Sequence, residues 1–592
     1  MDRLSKSDFK VGCQCPFKLK YSKSRYPSTK NDNAMLKFFA EGGYMVEAIA
    51  HAVMQSNPDV VFEKDLVFER YYARADAFEM TGERVILTEI KAKSTDSGDP
   101  EQFFTKAKEI RSEWRDYLVD ITFQVMVAEY QYPNKEVIPQ LCLVNKNKTV
   151  GIDAIYSKID LSLHQSGQGF AEPHAVYSGD VDALRSNHFL EFINVRKCVD
   201  KLMDEVKLKS TELLQFLDGQ LPNLRPQLGV SNCKSCEYRG SSLVPNGFNE
   251  CWGAEIEVAH VIDLYAAGSG DKELKEEMTR RIENKDLHLA DFPEELMGNS
   301  ASHSPARRNQ LRAAQSGSEV IGSKLITELE KLQFPLHFID FEASQIPVPY
   351  VAGMKPYEKI AFQLSCHSLL TPESKDLVHR EWLNLNDVYP NEEFLRELRL
   401  AIGDTGTVLV WSNYEKSTVK GIRSQLEVRG LLTDETKTWI EEFEKRIVDL
   451  RVLSQKKYCH PKMNGSHSIK KVLDAVWATA PHLWSDPWFA KYYQLAEDGQ
   501  PIDPYQTLVI PDLDLAKQLS ETDDSDEDGV TNGVTDGVGA MRAYQDMLYG
   551  LNRDNLELRN SMKDALLRYC ELDTAAMVMI WKHWHHQLQG SQ

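Results

Sequence analysis

Apolar and polar positions alternate in two stretches of the chain, and each alternating stretch carries acidic residues on one face of a predicted strand. In the stretch LHFIDFEAS, Asp340 and Glu342 stand two residues apart among apolar neighbours. A strand turns successive side chains to opposite faces, so both carboxylates point the same way. Residues 64–93 also alternate, around a turn at 81–83, which predicts a hairpin. Both stretches therefore predict carboxylates held by a sheet.

The spacing of apolar residues elsewhere predicts helices around these strands. Residues 1–60 and 101–131 have a helical period, and residues 140–147 are typical of another strand. An amphipathic helical stretch is expected at 183–218. In the C-terminal half, strands in a row are followed by alternating strands and helices, which predicts a mixed sheet flanked by helices. The helices predicted there lie near 391–403, 414–426, 435–453, 468–479 and 562–588.

The length of 592 residues is too great for one hydrophobic core, since domains average roughly 150 residues. We expect an α/β protein with one unit at 1–255, a helical connector at 256–325 and a second unit at 326–592. A Gly/Ser/Arg-rich run at 298–310 is expected to break the connector. The acidic, Gly-rich run at 521–539 is expected to be a mobile loop.

Composition narrows the class of protein only slightly. Hydrophobic content of 42% and charged content of 27% are ordinary for globular proteins. No run approaches the roughly 18 consecutive apolar residues of a membrane span, and no secretion signal is visible, so we expect a cytoplasmic protein without a membrane partner. The net charge of −20 does not exclude a local cationic groove, because the first thirty residues carry an excess of lysine and arginine.

The hairpin predicted at 64–93 places a candidate metal site. Asp76 and Glu89 lie equally far from the turn, so they should face each other across the hairpin, with Lys91 on the same face. Two facing carboxylates can hold Mg²⁺ or Mn²⁺, while a neighbouring lysine orients water and stabilises charge on a phosphate. A surface salt bridge across the hairpin is the alternative interpretation.

This stretch resembles the RecB-type branch of the PD-(D/E)XK nucleases. In that branch an upstream helix supplies an acid after a glycine, and GYMVEAIAH contains Gly43 followed by Glu47. A downstream helix supplies a glutamine, and ITFQVMVAEY contains Gln124. The motif differs from the family in having Ala75 before Asp76 in place of proline. The resemblance implies metal ligation by Asp76 and Glu89, with catalytic roles for Lys91, Glu47 and Gln124.

The cysteines form a second candidate cofactor site. Cys233 and Cys236 form a CxxC pair, and Cys251 follows. In a cytoplasmic chain such thiols are reduced or bind a metal. Members of the same nuclease branch join one N-terminal cysteine to three later ones through a 4Fe-4S cluster, and this resemblance implies Cys15 as the fourth ligand, with Cys13 as its substitute. A tetrahedral zinc site with the same ligands is the alternative, because CxxC is common to both.

Tyr569 and Asp573 stand four residues apart on one face of a predicted helix. Together with Asp340 and Glu342 they resemble the first and last motifs of the DnaQ-like exonucleases of the DEDD class, which end in Tyr-x-x-x-Asp. The resemblance implies a ribonuclease H-like mixed sheet with metal ions held by Asp340, Glu342 and Asp573. It also implies that the hydroxyl of Tyr569 orients the attacking water.

The middle acid of this class is expected after a strand, at the start of a helix. Glu415 in VLVWSNYEKSTVKG occupies that place, and Asp449 in RIVDLRVL is its rival. A glutamate can bind the same metals as an aspartate. His460, Ser468 and Lys470 are candidate phosphate contacts near a helix start, although Ser468 could equally serve as a cap.

The order of these motifs resembles an uncharacterised bacterial family that fuses a RecB-type iron–sulfur nuclease domain to a DnaQ-like DEDD exonuclease domain. The resemblance implies a bifunctional metal-dependent nuclease acting on single-stranded DNA or duplex ends in repair, recombination or defence against foreign DNA. A nucleic-acid-binding scaffold with one inactive site and a ribonuclease are the alternatives. The sequence identifies no protein partner.

Overall fold

The computed structural model describes most of the chain and shows a mixed α/β protein with several sheets. The acidic run at 521–539 lies outside the described residues except for 538 and 539. The described residues are 3–29, 34–165, 171–239, 245–253, 259–269, 272–372, 374, 376–508, 538–550 and 553–589.

The N-terminal unit, residues 3–253, contains eight strands and eight helices among its described residues. Its strands are β1 (Leu4–Ser5), β2 (Val60–Phe68), β3 (Tyr71–Thr81), β4 (Arg84–Thr95), β5 (Glu136–Asn145), β6 (Ile159–Gln165), β7 (Ala171–Tyr177) and β8 (Leu190–Asn194). Its helices are α1 (Lys6–Gln14), α2 (Pro16–Lys23), α3 (Ala34–Met54), α4 (Ser112–Gln131), α5 (Val181–Asn187), α6 (Arg196–Leu217), α7 (Val230–Cys233) and α8 (Gly247–Trp252).

The predicted hairpin is confirmed as β3 and β4, at the centre of a six-stranded sheet with the order β1-β3-β4-β5-β8 and with β2 paired to β3. Gly82 has a φ of 53°, which the tight turn requires and which glycine adopts without strain. Strand β4 runs parallel to β5, and helix α4 makes the crossover between them. The sheet thereby brings the hairpin and α4 together.

The remainder of the chain comprises the connector and a second unit, residues 336–589. The strands are β9 (Val320–Ile321), β10 (Leu336–Ser344), β11 (Ile360–Leu369), β12 (Leu377–Leu383), β13 (Thr407–Val410), β14 (Ile447–Asp449) and β15 (Tyr458–Cys459). The helices are α9 (Lys272–Asn284), α10 (Ser304–Ser316), α11 (Leu325–Leu329), α12 (Asn391–Ile402), α13 (Tyr414–Val428), α14 (Asp434–Arg446), α15 (Leu450–Lys457), α16 (Ile469–Trp477), α17 (Pro481–Trp484), α18 (Val538–Tyr549) and α19 (Leu556–Gln589).

The sheet of the second unit is mixed, as predicted, with the order β12-β11-β10-β13-β14. Strand β11 is antiparallel to both its neighbours, whereas β13 and β14 run parallel to β10. Ile339 and Phe341 of β10 pack into a core with α12, α13 and α14. Leu336 and Phe338 of the same strand belong to the core that contains α19. The two faces of β10 are therefore covered by different helices.

The two units pack against each other through one continuous apolar core. Tyr156 of the first unit and Tyr350 of the second have ring centroids 5.1 Å apart within this core. Val150 donates a backbone hydrogen bond to Met354 at 3.0 Å and accepts one from Gly353 at 2.9 Å. The contact therefore joins backbone as well as side chains.

Two local predictions were wrong, and one element was not predicted. The stretch expected as one amphipathic helix at 183–218 contains the end of α5, strand β8 and helix α6, because Leu190 and Ile193 are buried in the sheet. The hairpin of β6 and β7 was not predicted. Helix α10 begins at Ser304, inside the run expected as a break, and Arg307 on it is buried while donating to backbone carbonyls at 2.6 and 2.9 Å.

Within the described ranges, no helix combines the length and the apolar character that crossing a bilayer requires.

Candidate functional site

The hairpin places Asp76 opposite Glu89. Its register pairs Thr81 with Arg84 and Ala77 with Thr88, and one further step along the strands reaches the two acids. The Oδ2 atom of Asp76 accepts a hydrogen bond of 2.7 Å from the backbone of Ile90. Glu89 is fully buried, so its carboxylate must be compensated within the protein.

Glu89 receives hydrogen bonds from three parts of the chain. Lys6 Nζ, at the start of α1, lies 3.0 Å from Glu89 Oε1, and Lys91 Nζ donates to the same oxygen. Gln124 Nε2, on α4, donates to Glu89 Oε2 at 2.5 Å. Lys91 Nζ also lies 3.7 Å from Asp120 Oδ2. The structure brings Glu89, Lys91 and Gln124 together as expected, and it adds Lys6 and Asp120.

The two facing carboxyl groups have opposite pKa shifts. Burial raises the pKa of Asp76 to about 7, and the charge of Glu89 adds to this shift. Burial also opposes ionisation of Glu89, but the ammonium groups of Lys91 and Lys6 outweigh it and lower the pKa of Glu89 to about 2. At neutral pH Glu89 is therefore charged, while Asp76 is divided between its two forms.

Glu47, on helix α3, lies beside Asp76 as the resemblance implies. Burial raises the pKa of Glu47 to about 8, and the charges of Asp76 and Glu63 add to the shift. His51, one turn later, has its Nε2 atom 3.5 Å from Glu47, and burial lowers the pKa of His51 to about 4. His51 is thus a neutral neighbour of the site at pH 7.

Two oxygen atoms of this site are buried and accept no hydrogen bond from the described residues. They are Asp120 Oδ1 and Gln124 Oε1. A buried acceptor without a donor costs about 1–3 kcal/mol, so its persistence calls for an explanation. A hydrated Mg²⁺ or Mn²⁺ fits this donor set, because such ions retain several waters that donate to nearby oxygens.

The candidate cofactor site consists of four thiols that line one small cavity: Cys15, Cys233, Cys236 and Cys251. Cys15 terminates helix α1, and its charge acts on both Cys233 and Cys251. Cys13 is exposed and lies near side chains of α6 instead. The structure therefore places Cys15, and not Cys13, with the other three.

The ligand set of this site suits two cofactors. Four thiolates hold either one zinc ion or a 4Fe-4S cluster, so the residues present fit both. Burial raises the pKa of the Cys233 thiol, and the nearby charges of Lys18 and Arg239 oppose this shift.

The second carboxylate site lies between β10 and α19. One oxygen each from Asp340, Glu342 and Asp573 lies within 4.8 Å of the other two. Asp340 and Glu342 share the face of β10 that also carries Leu336 and Phe338, which is the face covered by α19. The convergence of these three acids, which the resemblance to the DEDD exonucleases implied, is therefore present in the structure.

Hydroxyl and thiol groups contact the carboxylates of this site. The hydroxyl of Tyr505 donates to Asp573 Oδ1, and Cys570 Sγ lies 3.2 Å from Asp340 Oδ2. Burial raises the pKa of Cys570 well above its usual value, and the charges of Asp340, Glu342 and Asp573 add to the shift. Three carboxylates this close together concentrate negative charge, which attracts a cation.

Tyr569 lies one turn before Asp573 and is buried. Its ring centroid lies 6.3 Å from that of Tyr505, and the ammonium group of Lys470 lies 5.3 Å and 5.5 Å from the two centroids. Lys470, a candidate phosphate contact, therefore lies beside Tyr569. His460 serves as a cap, since its Nδ1 accepts from the backbone of Lys462 at 3.2 Å.

Glu415 and Asp449 differ in their local roles. Glu415 is buried in the first turn of α13, which follows β13, the parallel neighbour of β10. Asp449 caps helix α15, and its Oδ1 accepts from the backbone of Val452 at 3.1 Å. Lys359 lies close enough to Glu415 to feel its charge, although burial lowers the pKa of Lys359 to about 8. Within the described residues, the group of acids whose oxygens lie within 4.8 Å of one another contains Asp340, Glu342 and Asp573 but neither Glu415 nor Asp449.

Sequence reasoning missed Lys6, Asp120 and Lys359. Lys6 stands 83 residues before Glu89, and no spacing rule connects them. Asp120 stands one turn before Gln124 on α4, so the helical period could have suggested it. Lys359 immediately precedes β11, where its position relative to Glu415 depends on sheet order.

Residues 337–468 match a domain of unknown function (DUF2779). The matched range contains Asp340, Glu342 and Glu415, whereas Tyr569 and Asp573 lie beyond it. No curated protein and no solved structure matches the chain.

Proposed function

We propose that the protein is a bifunctional metal-dependent nuclease that hydrolyses phosphodiester bonds in DNA. One site is a PD-(D/E)XK-type centre on β3 and β4, and the other is a DEDD-type 3′–5′ exonuclease centre on β10 and α19. The observation that carries the proposal is the convergence of Asp340, Glu342 and Asp573 within 4.8 Å from distant parts of the chain. Three oxygen ligands with this closeness suit Mg²⁺ or Mn²⁺.

The sheet of the second unit supports the same assignment. Its central strand β10 carries the acidic pair. On one side of β10 the strands β13 and β14 run parallel to it, and on the other side β11 runs antiparallel to β10. A mixed sheet flanked by helices is what the ribonuclease H-like resemblance implies. Glu415 fits the place of the middle acid, because it follows the strand next to β10.

The residues of the second centre have distinct tasks. Bound Mg²⁺ or Mn²⁺ would supply an activated water and stabilise charge on the leaving oxygen. Asp340, Glu342 and Asp573 would hold the ions, and the hydroxyl of Tyr505 orients Asp573. Tyr569 would orient the water. Lys470, whose ammonium group lies next to the Tyr569 ring, would bind the phosphate.

The first centre divides its tasks similarly. Asp76 and Glu89 would ligate the ion, and Gln124 fixes one oxygen of Glu89. Lys91 supplies a positive charge beside the developing charge on the phosphate. A four-cysteine cofactor, which we assign as a 4Fe-4S cluster on the resemblance to the RecB-type nuclease branch, would fasten α1 to α7 and α8.

The test uses Lys91→Ala, Asp340→Asn and the double variant, with Glu83→Gln and Glu427→Gln as controls because both control residues are exposed. End-labelled single-stranded DNA, duplex DNA and RNA of one sequence are incubated with Mn²⁺. We expect each single variant to lose part of the degradation and the double variant to lose all of it, while the controls retain it. Unchanged degradation by the double variant would overturn the proposal.

The same assay separates the alternatives. Faster loss of RNA than of either DNA would make the protein a ribonuclease with the same two sites. Binding of DNA without any degradation by the unaltered protein would make it a scaffold. After anaerobic purification, a brown protein with visible iron–sulfur absorbance supports the cluster, whereas a colourless protein with stoichiometric zinc contradicts it.

A further inference from the structure

A third group of ligand atoms lies on the second unit, outside both carboxylate sites. It consists of His367 on β11, His379 on β12 and Glu571 on α19, with one ligand atom from each within 4.8 Å of the other two. His367 and His379 are directly paired across the two antiparallel strands. Their rings are stacked with centroids 4.4 Å apart. The register of the sheet therefore creates the pair, and α19 supplies the acid.

Each imidazole is held by a hydroxyl group through one nitrogen. His367 Nδ1 is hydrogen-bonded to Thr574 Oγ1 at 2.7 Å, and His379 Nε2 to Ser365 Oγ at 3.0 Å. Hydrogen bonds of this kind fix the ring orientation of metal-binding histidines, leaving the second nitrogen as the ligand. The two hydroxyls are themselves hydrogen-bonded to each other at 2.9 Å, so the supporting groups form one chain.

The charge state of the group is suitable for a metal ion. Burial lowers the pKa of His367 to about 3 and also lowers the pKa of His379, so both rings are neutral at pH 7. Neutral imidazole is the form that binds metals. Glu571 Oε1 forms an ion pair with Lys491 Nζ at 2.6 Å, and the side chain of Lys491 is half exposed. Lys491 can therefore leave Glu571 for water when a cation enters.

We propose that His367, His379 and Glu571 form a binding site for a first-row divalent transition metal, with Zn²⁺ as its probe. Two imidazoles and one carboxylate are a ligand set that binds zinc and leaves one position for water. This site differs in chemistry from the all-oxygen group of Asp340, Glu342 and Asp573, which suits Mg²⁺ or Mn²⁺. The inference goes beyond the proposed nuclease function and does not depend on it.

The position of the site indicates what the ion would do. Glu571 and Thr574 face β11 and β12, while Cys570 and Asp573 face β10, so α19 contacts the sheet along two adjacent rows. An ion on Glu571 would tie the helix to the hairpin of β11 and β12. It would thereby hold Asp573 at a fixed distance from the carboxylates of β10.

The test is a titration of the full-length protein with Zn²⁺ and with Co²⁺, in an Asp340→Asn background that weakens the all-oxygen site. We expect His379→Gln and Glu571→Gln to bind at least about tenfold more weakly than the background protein. His585→Gln is the matched control, because His585 is exposed on the same helix, and it should bind as the background does. Co²⁺ at this site should give visible bands without sulfur-to-metal charge transfer, which separates it from the cysteines.

Lys491→Met provides a second test that keeps all three ligands. Removal of the ion pair with Glu571 should tighten Zn²⁺ binding by up to about fivefold, the range of a partly exposed ion pair. Equal Zn²⁺ affinity and stoichiometry in the background protein, His379→Gln and Glu571→Gln would overturn the proposal. Weaker binding by Lys491→Met would overturn it as well.

Discussion

The first carboxylate site is built around two lysines, whereas hydroxyl and thiol groups are among the contacts of the second. Lys6 and Lys91 both donate to Glu89, and they keep it ionised although it is fully buried. In the second site Tyr505 and Cys570 donate to carboxylates as neutral groups. An entering ion must therefore compete with Lys6 and Lys91 for Glu89 in the first site.

The largest expected effect comes from Glu415→Gln. If Glu415 completes the second site, this change should lower 3′–5′ exonuclease activity by at least about 100-fold, because loss of a ligand exceeds the loss of a supporting contact. Hydrolysis of 3′-labelled single-stranded DNA measures it. Glu427→Gln, on the same helix and exposed, should be unchanged. A comparable loss in Asp449→Asn with unchanged Glu415→Gln would transfer the role to Asp449.

Cys15→Ser should lower the activity of the first site alone, by a smaller factor than Glu415→Gln lowers that of the second. Helix α1 begins at Lys6 and ends before Cys15, so losing the four-thiol cofactor would release the lysine that supports Glu89. We expect the visible absorbance of the cofactor to vanish and the activity of the first site to fall about 10- to 100-fold. Cys13→Ser should retain both. An equal loss of exonuclease activity at the second site would contradict this separation.

Tyr505→Phe should weaken the second site by about tenfold. The hydroxyl of Tyr505 donates to Asp573, and such supporting hydrogen bonds are worth about 10- to 100-fold in metal affinity or activity. The Mn²⁺ concentration giving half-maximal exonuclease activity measures the effect. Tyr493→Phe, whose ring packs on Trp484, is the control. Unchanged Mn²⁺ dependence in Tyr505→Phe would show that Asp573 needs no such orientation.

The smallest expected effect concerns stability and pH. The pKa of Asp76 in the folded protein is about 7, above its unfolded value. Its contribution to stability is therefore present at low pH and is lost as the pH rises through about 7. Without divalent ions, we expect this one group to lower the melting temperature between pH 5 and 8 by on the order of 5 °C, which the difference between the unaltered protein and Asp76→Asn measures. Asp76→Asn should flatten this decline, while Glu83→Gln keeps it.

Short-range patterns predicted the parts of both sites that lie on single elements. Alternation predicted that Asp340 and Glu342 share a face, and the symmetry of the hairpin predicted Asp76 opposite Glu89. The four-residue spacing predicted Tyr569 and Asp573 on one helix. These rules depend only on local geometry, so one sequence is sufficient for them.

Contacts between residues far apart in the sequence could not be predicted from such local patterns. Lys6 reaches Glu89 because β1 lies parallel to β3, and a two-residue strand has no detectable alternation. His367 and His379 form a pair only through the register of β11 with β12, which sequence spacing does not define. Helix α10 begins in a Gly/Ser/Arg-rich run because burial of Arg307 against backbone carbonyls outweighs local preference.

Val150 exchanges backbone hydrogen bonds with Gly353 and Met354, and Tyr156 packs against Tyr350 in the shared core. Fragments separated within the connector would each expose this apolar surface to water and would tend to aggregate when produced alone. Produced together, they should assemble as a noncovalent pair with the backbone contacts restored. Cloning either half as an independent enzyme therefore requires redesign of residues around Tyr156 or Tyr350.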